Sequence, residues 1–325
     1  MKQVLVAVPA SEDQRRRFSS IAEANGASET ISFLYTEEEA VTKEQVQASS
    51  VIFGNVPAKM IEASGKLEYL QLMSAGADPY LVPGVLSGNT VLCNATGAYG
   101  KTVSEHAFAL TWALLRKLHL YRSAQLRGEW ADFGEVGTLT GATVLVVGLG
   151  DIGKSYARLV KAMGAKVIGV TRHGGACPEH VDELVATDAV DTVLPRADVI
   201  LSVMPNTPQS VHYFTAERFR LMKKTAVFLN CGRGSAVDGI VLLHALQAGE
   251  IAAAAIDVAE QEPLPPESPL WQQENLIITP HVAGGFHLPV TYSIIVDIFC
   301  ENLDRWLKGE PLCNVVDMQT GYRKK

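Results

Sequence analysis

Residues 144 to 153 read V-L-V-V-G-L-G-D-I-G, and this stretch decides the fold. A continuous apolar run ends in Gly148-x-Gly150-x-x-Gly153 and leads into a helical pattern. That is the fingerprint of a dinucleotide-binding βαβ unit. Gly148 allows the tight turn, Gly150 lets the backbone approach a pyrophosphate, and Gly153 lets the helix pack closely on the strand. The helix N-terminus then offers free N–H groups and the positive end of its dipole to an anion. The context agrees. A strand at 143–147 precedes the glycines. A helix with Ile152, Tyr156, Leu159, Val160 and Met163 on one face follows, Gly164 ends it, and a second strand spans 166–170.

The end of that second strand speaks to the cofactor. An NAD site places Asp or Glu there, on the ribose 2′-hydroxyl. This chain has Thr171-Arg172-His173 instead, and no carboxylate before Glu179. Arg172 can fork onto a 2′-phosphate, with Thr171 and His173 as further donors, so NADP is favoured over NAD.

The 325 residues suit two domains, and an apolar fraction of 47% supplies two cores. A formal charge of −7 argues against nucleic-acid binding. The five cysteines form no CxxC or Cys/His metal spacing and read as reduced thiols of a cytoplasmic protein, with no metal expected. No apolar run is long enough for a bilayer, so no membrane partner is expected. The N-terminal run Val4–Val8 is too short for a signal peptide and meets charged residues at once. It reads as a first strand and helix.

Before the fingerprint, strands are expected at 4–8, 31–35, 51–53, 69–73 and 91–93. A long helix follows from Thr102, where Thr102-x-x-Glu105 spells a capping box and Val103, Ala107, Leu110, Leu114, Leu118 and Tyr121 share one face. From residue 143 strands are expected at 143–147, 166–170, 199–203, 226–230, 252–258 and 276–279. A last helix opens at Pro289, with Tyr292, Ile295, Val296, Phe299, Leu303 and Trp306 as its buried stripe. Near-continuous apolar strands alternating with helices mean parallel sheets covered on both faces. The expected fold is α/β with two doubly wound domains. A Rossmann nucleotide domain (101–288) is inserted into a smaller flavodoxin-like substrate domain (1–100 and 289–325).

In such sheets ligands collect beyond the carboxyl ends of the strands. Three of those ends carry chemistry: Cys231-Gly232-Arg233-Gly234, Ala259-Glu260-Gln261-Glu262-Pro263 and Pro280-His281-Val282-Ala283-Gly284. Arg, Glu and His are the types a 2-oxo acid reduction needs. Arg grips a carboxylate, His exchanges the carbonyl proton, and Glu orients the imidazole.

The chain resembles the D-isomer-specific 2-hydroxyacid dehydrogenase family over nearly its whole length, most densely from Leu145 to Gly284. The residues that carry this are G-L-G-D-I-G at 148–153, M-P-N-T-P at 204–208, N-C-G-R-G at 230–234, D-V-A-E-Q-E-P-L-P at 257–265, S-P-L-W at 268–271 and I-T-P-H-V-A-G at 278–284. Fainter echoes are S-A-G-A-D at 74–78 and T-V-S-E-H at 102–106. The resemblance implies that Arg233 binds substrate and that Glu262 and His281 form the acid–base pair. Asp257 would hold the nicotinamide carboxamide. Asp151, Ile152, Pro205, Thr207, Cys231 and Gly284 would join Gly148, Gly150 and Gly153 around the cofactor. Ser74, Ala75 and Gly76 would offer backbone N–H groups to the substrate carboxylate, beside Arg233 and His281. It also implies a homodimer, with Tyr121–Thr140 in the interface. Two features depart from parts of the family: the Thr171-Arg172 pair replaces the acidic ribose residue, and Glu262 replaces the Gln of formate dehydrogenases.

Other readings stay open. His106, His119, His180, His212 and His244 show no partner pattern and read as surface or helix histidines; His287 is a further candidate for substrate contact. Cys231 reads as a buried thiol. Glu260 rivals Glu262, but only Glu262 precedes Pro263-Leu264. The implied activity is reduction of a small 2-oxo acid, of the glyoxylate or hydroxypyruvate type. Lys101 is the lone cation near the substrate segments, which favours an unphosphorylated acid. The alternatives are a phosphoglycerate dehydrogenase, against which the short stretch after the last helix counts, and an NAD(P)-sensing corepressor, against which the acidic charge counts.

Overall fold

The computed structural model describes every residue except Ala63, Phe286, His287, Tyr322 and Lys325. The chain divides into two compact units, residues 1–98 with 286–325, and residues 99–285.

The first unit holds strands β1 (Lys2–Val6), β2 (Ile31–Tyr35), β3 (Val51–Phe53), β4 (Tyr69–Gln71) and β5 (Val91–Cys93), and helices α1 (Glu12–Ala24), α2 (Lys43–Ala48) and α3 (Ala58–Ile61). Its sheet runs β2-β1-β3-β4-β5, with every pairing parallel. That is the flavodoxin-like order. Val4, Leu5, Ile52, Phe53, Leu70 and Leu92 are buried, as expected of strands covered on both faces.

The second unit begins with α4 (Gly100–Leu115) and α5 (Leu118–Leu126), then β6 (Thr143–Val147), α6 (Asp151–Ala162), β7 (Lys166–Thr171), β8 (Glu183–Ala186) and β9 (Val199–Ser202). It continues with α7 (Ala216–Leu221), β10 (Val227–Asn230), α8 (Gly239–Gln247), β11 (Ala253–Ile256) and β12 (Leu276–Ile278). The sheet order β12-β11-β10-β9-β6-β7-β8 is again wholly parallel. It reverses direction between β6 and β9, the switch point where doubly wound folds bind ligands.

The chain returns to the first unit through α9 (Pro289–Lys308), which Gly309 stops in the left-handed conformation at φ 69°. Phe299 of α9 stacks on Phe53 at 4.2 Å and meets the edge of Phe18 at 5.2 Å, so α1 and α9 cover the same face. Ile295, Val296, Phe299 and Leu303 are buried, whereas Tyr292 and Trp306 are only partly so.

Several local readings are corrected. The first long helix starts at Gly100, and its Tyr99 cap makes no side-chain bond, so Thr102 caps nothing. That helix does not run on to Tyr121: Lys117 adopts φ 54° and breaks it, leaving Leu118 54% exposed. Met163 is also exposed, because the helix 151–162 turns its small residues Gly153 and Ala157 to the strand beside Tyr156 and Val160. β8 is an edge strand missing from the sequence reading, because all four residues are half-buried and the apolar run is short. No described helix is long and apolar enough to cross a membrane.

Candidate active site

The nucleotide fingerprint folds as its glycines require. Gly148 ends β6 at φ 104°, and a Cβ there would lie 2.7 Å from the Val203 carbonyl oxygen on the next strand. A Cβ at Gly153 would come within 2.0 Å of the Gly148 oxygen, so α6 can approach β6 only through glycine. Around Gly150, the N-cap of α6, a Cβ would meet nothing within 4 Å. The backbone at Gly150 is therefore open to close approach, as a pyrophosphate needs. These residues fit a dinucleotide.

Asp151 opens α6 with a half-buried carboxylate whose Oδ2 finds no partner among the described residues. Burial raises its pKa, against the Gly100 N–H, which favours the charged form. Ile152 is half-buried beside it. At the far end of the unit, β7 runs out into Thr171, with Arg172 and His173 exposed. Thr171 Oγ1 donates to the Gly174 carbonyl. Pro205 and Thr207 follow β9 in a turn tied by Ser210, whose Oγ donates to the Pro205 carbonyl at 2.7 Å and accepts the Thr207 N–H at 2.8 Å. Thr207 is thus buried in its own turn.

β10, β11 and β12 are neighbours, so their carboxyl ends lie along one edge. After β10, the Cys231 thiol is buried and its pKa raised by desolvation. Asn230 holds the loop by donating to the Arg233 carbonyl and accepting the Gly232 N–H. Gly234 abuts the next loop so closely that a Cβ would sit 1.8 Å from the Ala259 oxygen. Arg233 is half-buried, its guanidinium donating to the Gly232 carbonyl at 3.0 Å.

The loop after β11 sorts two glutamates. His281 Nδ1 lies 2.7 Å from Glu262 Oε2, and Glu262 Oε1 accepts the Ala259 N–H at 2.9 Å. Glu260 instead pairs with His212 at 2.6 Å, a bond that raises the His212 pKa. Asp238, half-buried, lies beside them, with a carboxylate oxygen within 4.8 Å of the other two groups. The sequence rivalry between Glu260 and Glu262 thus ends in two separate His–Glu pairs. A carboxylate only accepts, so Nδ1 of His281 carries the hydrogen and Nε2 faces away. A cavity of about 420 Å³ opens beside the pair, lined by Glu262, Leu264, Trp271, Ile278 and His281.

Beneath the pair lies Asp257, 2% exposed. Its Oδ1 accepts the Thr279 hydroxyl at 2.6 Å and the Val282 N–H at 3.0 Å, and its Oδ2 accepts the Ala283 N–H at 3.1 Å. Its carbonyl accepts the His281 N–H at 2.7 Å. His281 itself has φ 53°, a conformation costing a non-glycine residue about 1–2 kcal/mol. The turn persists because Asp257 holds three successive N–H groups. Gly284 follows, half-buried, a Cβ there being 3.3 Å from the Tyr99 ring.

In the first unit, 74–76 follows β4. Asn94 donates to the Ala75 carbonyl, and Ser74 Oγ donates to the Gly76 carbonyl at 2.6 Å. Among the described residues, no protein acceptor takes the N–H of Ala75 or Gly76. His287 lies outside the described residues.

One residue escaped the sequence reading. His106 is not a lone helix histidine: its Nε2 meets Thr279 Oγ1 at 3.1 Å, 173 positions away. The T-V-S-E-H echo at 102–106 was its only signal.

Residues 108–283 match the family model of the D-isomer-specific 2-hydroxyacid dehydrogenase NAD-binding domain. A D-3-phosphoglycerate dehydrogenase of Methanocaldococcus jannaschii is 32% identical over 98% of this chain, which spans 60% of that longer protein. A glyoxylate reductase of Korarchaeum cryptofilum is 30% identical over 83% of this chain and 82% of its own. Among solved structures, the NADPH-dependent glyoxylate/hydroxypyruvate reductase of Sinorhizobium meliloti, in complex with NADP and sulfate, superposes with a TM-score of 0.81. It is 25% identical, covering 99% of this chain and 100% of its own.

Proposed function

The chain belongs to the D-isomer-specific 2-hydroxyacid dehydrogenase family, and from that premise we propose that it reduces a small, unphosphorylated 2-oxo acid to the D-2-hydroxy acid, with NADP preferred over NAD. The observation that carries this is the 2.7 Å bond between His281 Nδ1 and Glu262 Oε2. Glu262 fixes the imidazole so that Nε2 delivers a proton to the carbonyl oxygen. Arg233 binds the substrate carboxylate, and Ser74, Ala75 and Gly76 are substrate-binding residues of the first unit through their backbone N–H groups. The cofactor supplies the hydride. Gly148, Gly150, Asp151, Ile152, Gly153, Pro205, Thr207, Cys231, Asp257 and Gly284 line its place, and Thr171, Arg172 and His173 receive the 2′-phosphate. Asp257 would hold the nicotinamide, and because its carboxylate already accepts from Thr279, Val282 and Ala283, only the remaining lone pair of Oδ2 would be left for this.

The test is oxidation of NADPH and NADH on addition of glyoxylate, hydroxypyruvate, aliphatic 2-oxo acids and 3-phosphohydroxypyruvate. The Methanocaldococcus relative favours one second reading, 3-phosphoglycerate oxidation, and the phosphorylated compound in this panel decides it. A kcat/KM for it more than about tenfold above the others, equivalent to about 1.4 kcal/mol, selects that reading. We also propose a cytoplasmic homodimer. The five unpaired thiols support the compartment. Leu126 and Trp130, 71% and 105% exposed, support the assembly.

A further inference from the structure

His106 sits in the second turn of α4 and reaches the end of β12. Its bond to Thr279 has a fixed direction. Thr279 Oγ1 lies 2.6 Å from Asp257 Oδ1, and a carboxylate cannot donate, so the hydroxyl spends its proton there. Its oxygen can only accept from His106, whose Nε2 therefore carries hydrogen. That nitrogen also stands 3.7 Å from Asp257 Oδ1. One turn earlier, Thr102 Oγ1 donates to the Ala283 carbonyl at 3.2 Å. Helix α4 thus grips both ends of the turn that carries His281: at Thr279 through His106, and at Ala283 through Thr102. Between these grips, Asp257 holds the N–H groups of His281, Val282 and Ala283.

We propose that His106 is a positioning residue for His281. Its N–H commits the Thr279 hydroxyl to Asp257, which keeps the 281–283 turn in the left-handed conformation that presents the imidazole to Glu262. Among the described residues His106 makes no hydrogen bond or ion pair to Glu262 or His281, and it acts through Thr279 and Asp257. The inference rests on reading His281 as the proton donor.

The experiment compares His106→Leu, which fills the volume without a donor, with His106→Gln, which restores a donor at the same reach, alongside Thr279→Val and the double variant His106→Leu/Thr279→Val. In His106→Leu, kcat falls about tenfold and the NADPH Kd stays within about twofold; His106→Gln stays within about twofold of the parent in both, the scale of one network hydrogen bond. Thr279→Val matches His106→Leu, and the double variant loses no more than either single one, because the two act in one chain. A normal kcat in His106→Leu, a Gln variant as poor as the Leu variant, or additive losses would each overturn the proposal. A second readout needs no turnover. Amide exchange at Val282 and Ala283 speeds up in His106→Leu relative to His106→Gln, and equal exchange in the two contradicts the proposal. Absence of 2-oxo acid turnover in the parent protein contradicts the proposed function and leaves this exchange test standing.

Discussion

His281 and Glu262 meet at 2.7 Å although they lie 19 positions apart in sequence, and the imidazole that makes this contact hangs from a backbone at φ 53°. The pair is held from both sides. Glu262 is fixed by the Ala259 N–H, and the His281 turn is fixed by Asp257. Replacing Glu262 by Gln keeps the acceptor for Ala259 but turns an amide donor toward an Nδ1 that carries hydrogen. Loss of one charge-assisted bond, about 1.5–3 kcal/mol, corresponds to a fall in kcat of about 10- to 100-fold. Steady-state kinetics with NADPH checks this; a variant with parental kcat contradicts it.

In the proposed function, cofactor choice rests on the end of β7. Arg172→Ala raises the KM for NADPH on the order of tenfold or more and leaves that for NADH nearly unchanged, since only the former has a 2′-phosphate to lose. Better use of NADH by the unmodified protein would count against the assignment.

Thiol reactivity follows burial. Desolvation pushes Cys93 up to about 12 and Cys300 up to about 11, and raises Cys231 as well, while Cys177 is exposed. Iodoacetamide applied to the native protein therefore labels Cys177 first, and Cys93, Cys231 and Cys300 react only on unfolding. Rapid native labelling of Cys231, read by peptide mass spectrometry, would refute the buried-thiol assignment.

Asp151 carries a pKa raised above the ordinary Asp value of 3.8, chiefly by burial. A raised acid pKa means the folded state binds its proton more tightly than the unfolded state does. The carboxylate is then neutral in both states well below 3.8, and its ionisation weakens the fold as pH climbs from 3.8 through the raised value. Asp151→Asn keeps an acceptor for Gly100 and cannot ionise. Its Tm gain over the parent is larger at pH 7.5 than at pH 4.5; a gain that shrinks with pH reverses the sign of the argument.

Much of the architecture was legible because strands buried on both faces must be apolar nearly throughout: Val144–Val147 and Val199–Leu201 announce themselves. The glycine spacing was equally plain, since Gly148 and Gly153 stand where a Cβ would strike a carbonyl. Illegible features were those set by tertiary context. β8 is half-exposed at a sheet edge, and the break at Lys117 has neither glycine nor proline to mark it. Thr102 spells a capping box yet spends its hydroxyl on Ala283. Glu260 and Glu262 differ in sequence by two positions only; which histidine each meets follows from how the turn at 281 and the loop at 212 are folded. The His106–Thr279 contact joins residues 173 apart and has no local signature.

Whether His281 is the proton donor is decided by kcat of His281→Ala on the best 2-oxo acid, with NADPH saturating. The expected fall is roughly 10²–10⁴-fold, the usual contribution of a positioned general acid, with NADPH binding retained. A variant that turns over at close to the parental rate would contradict it.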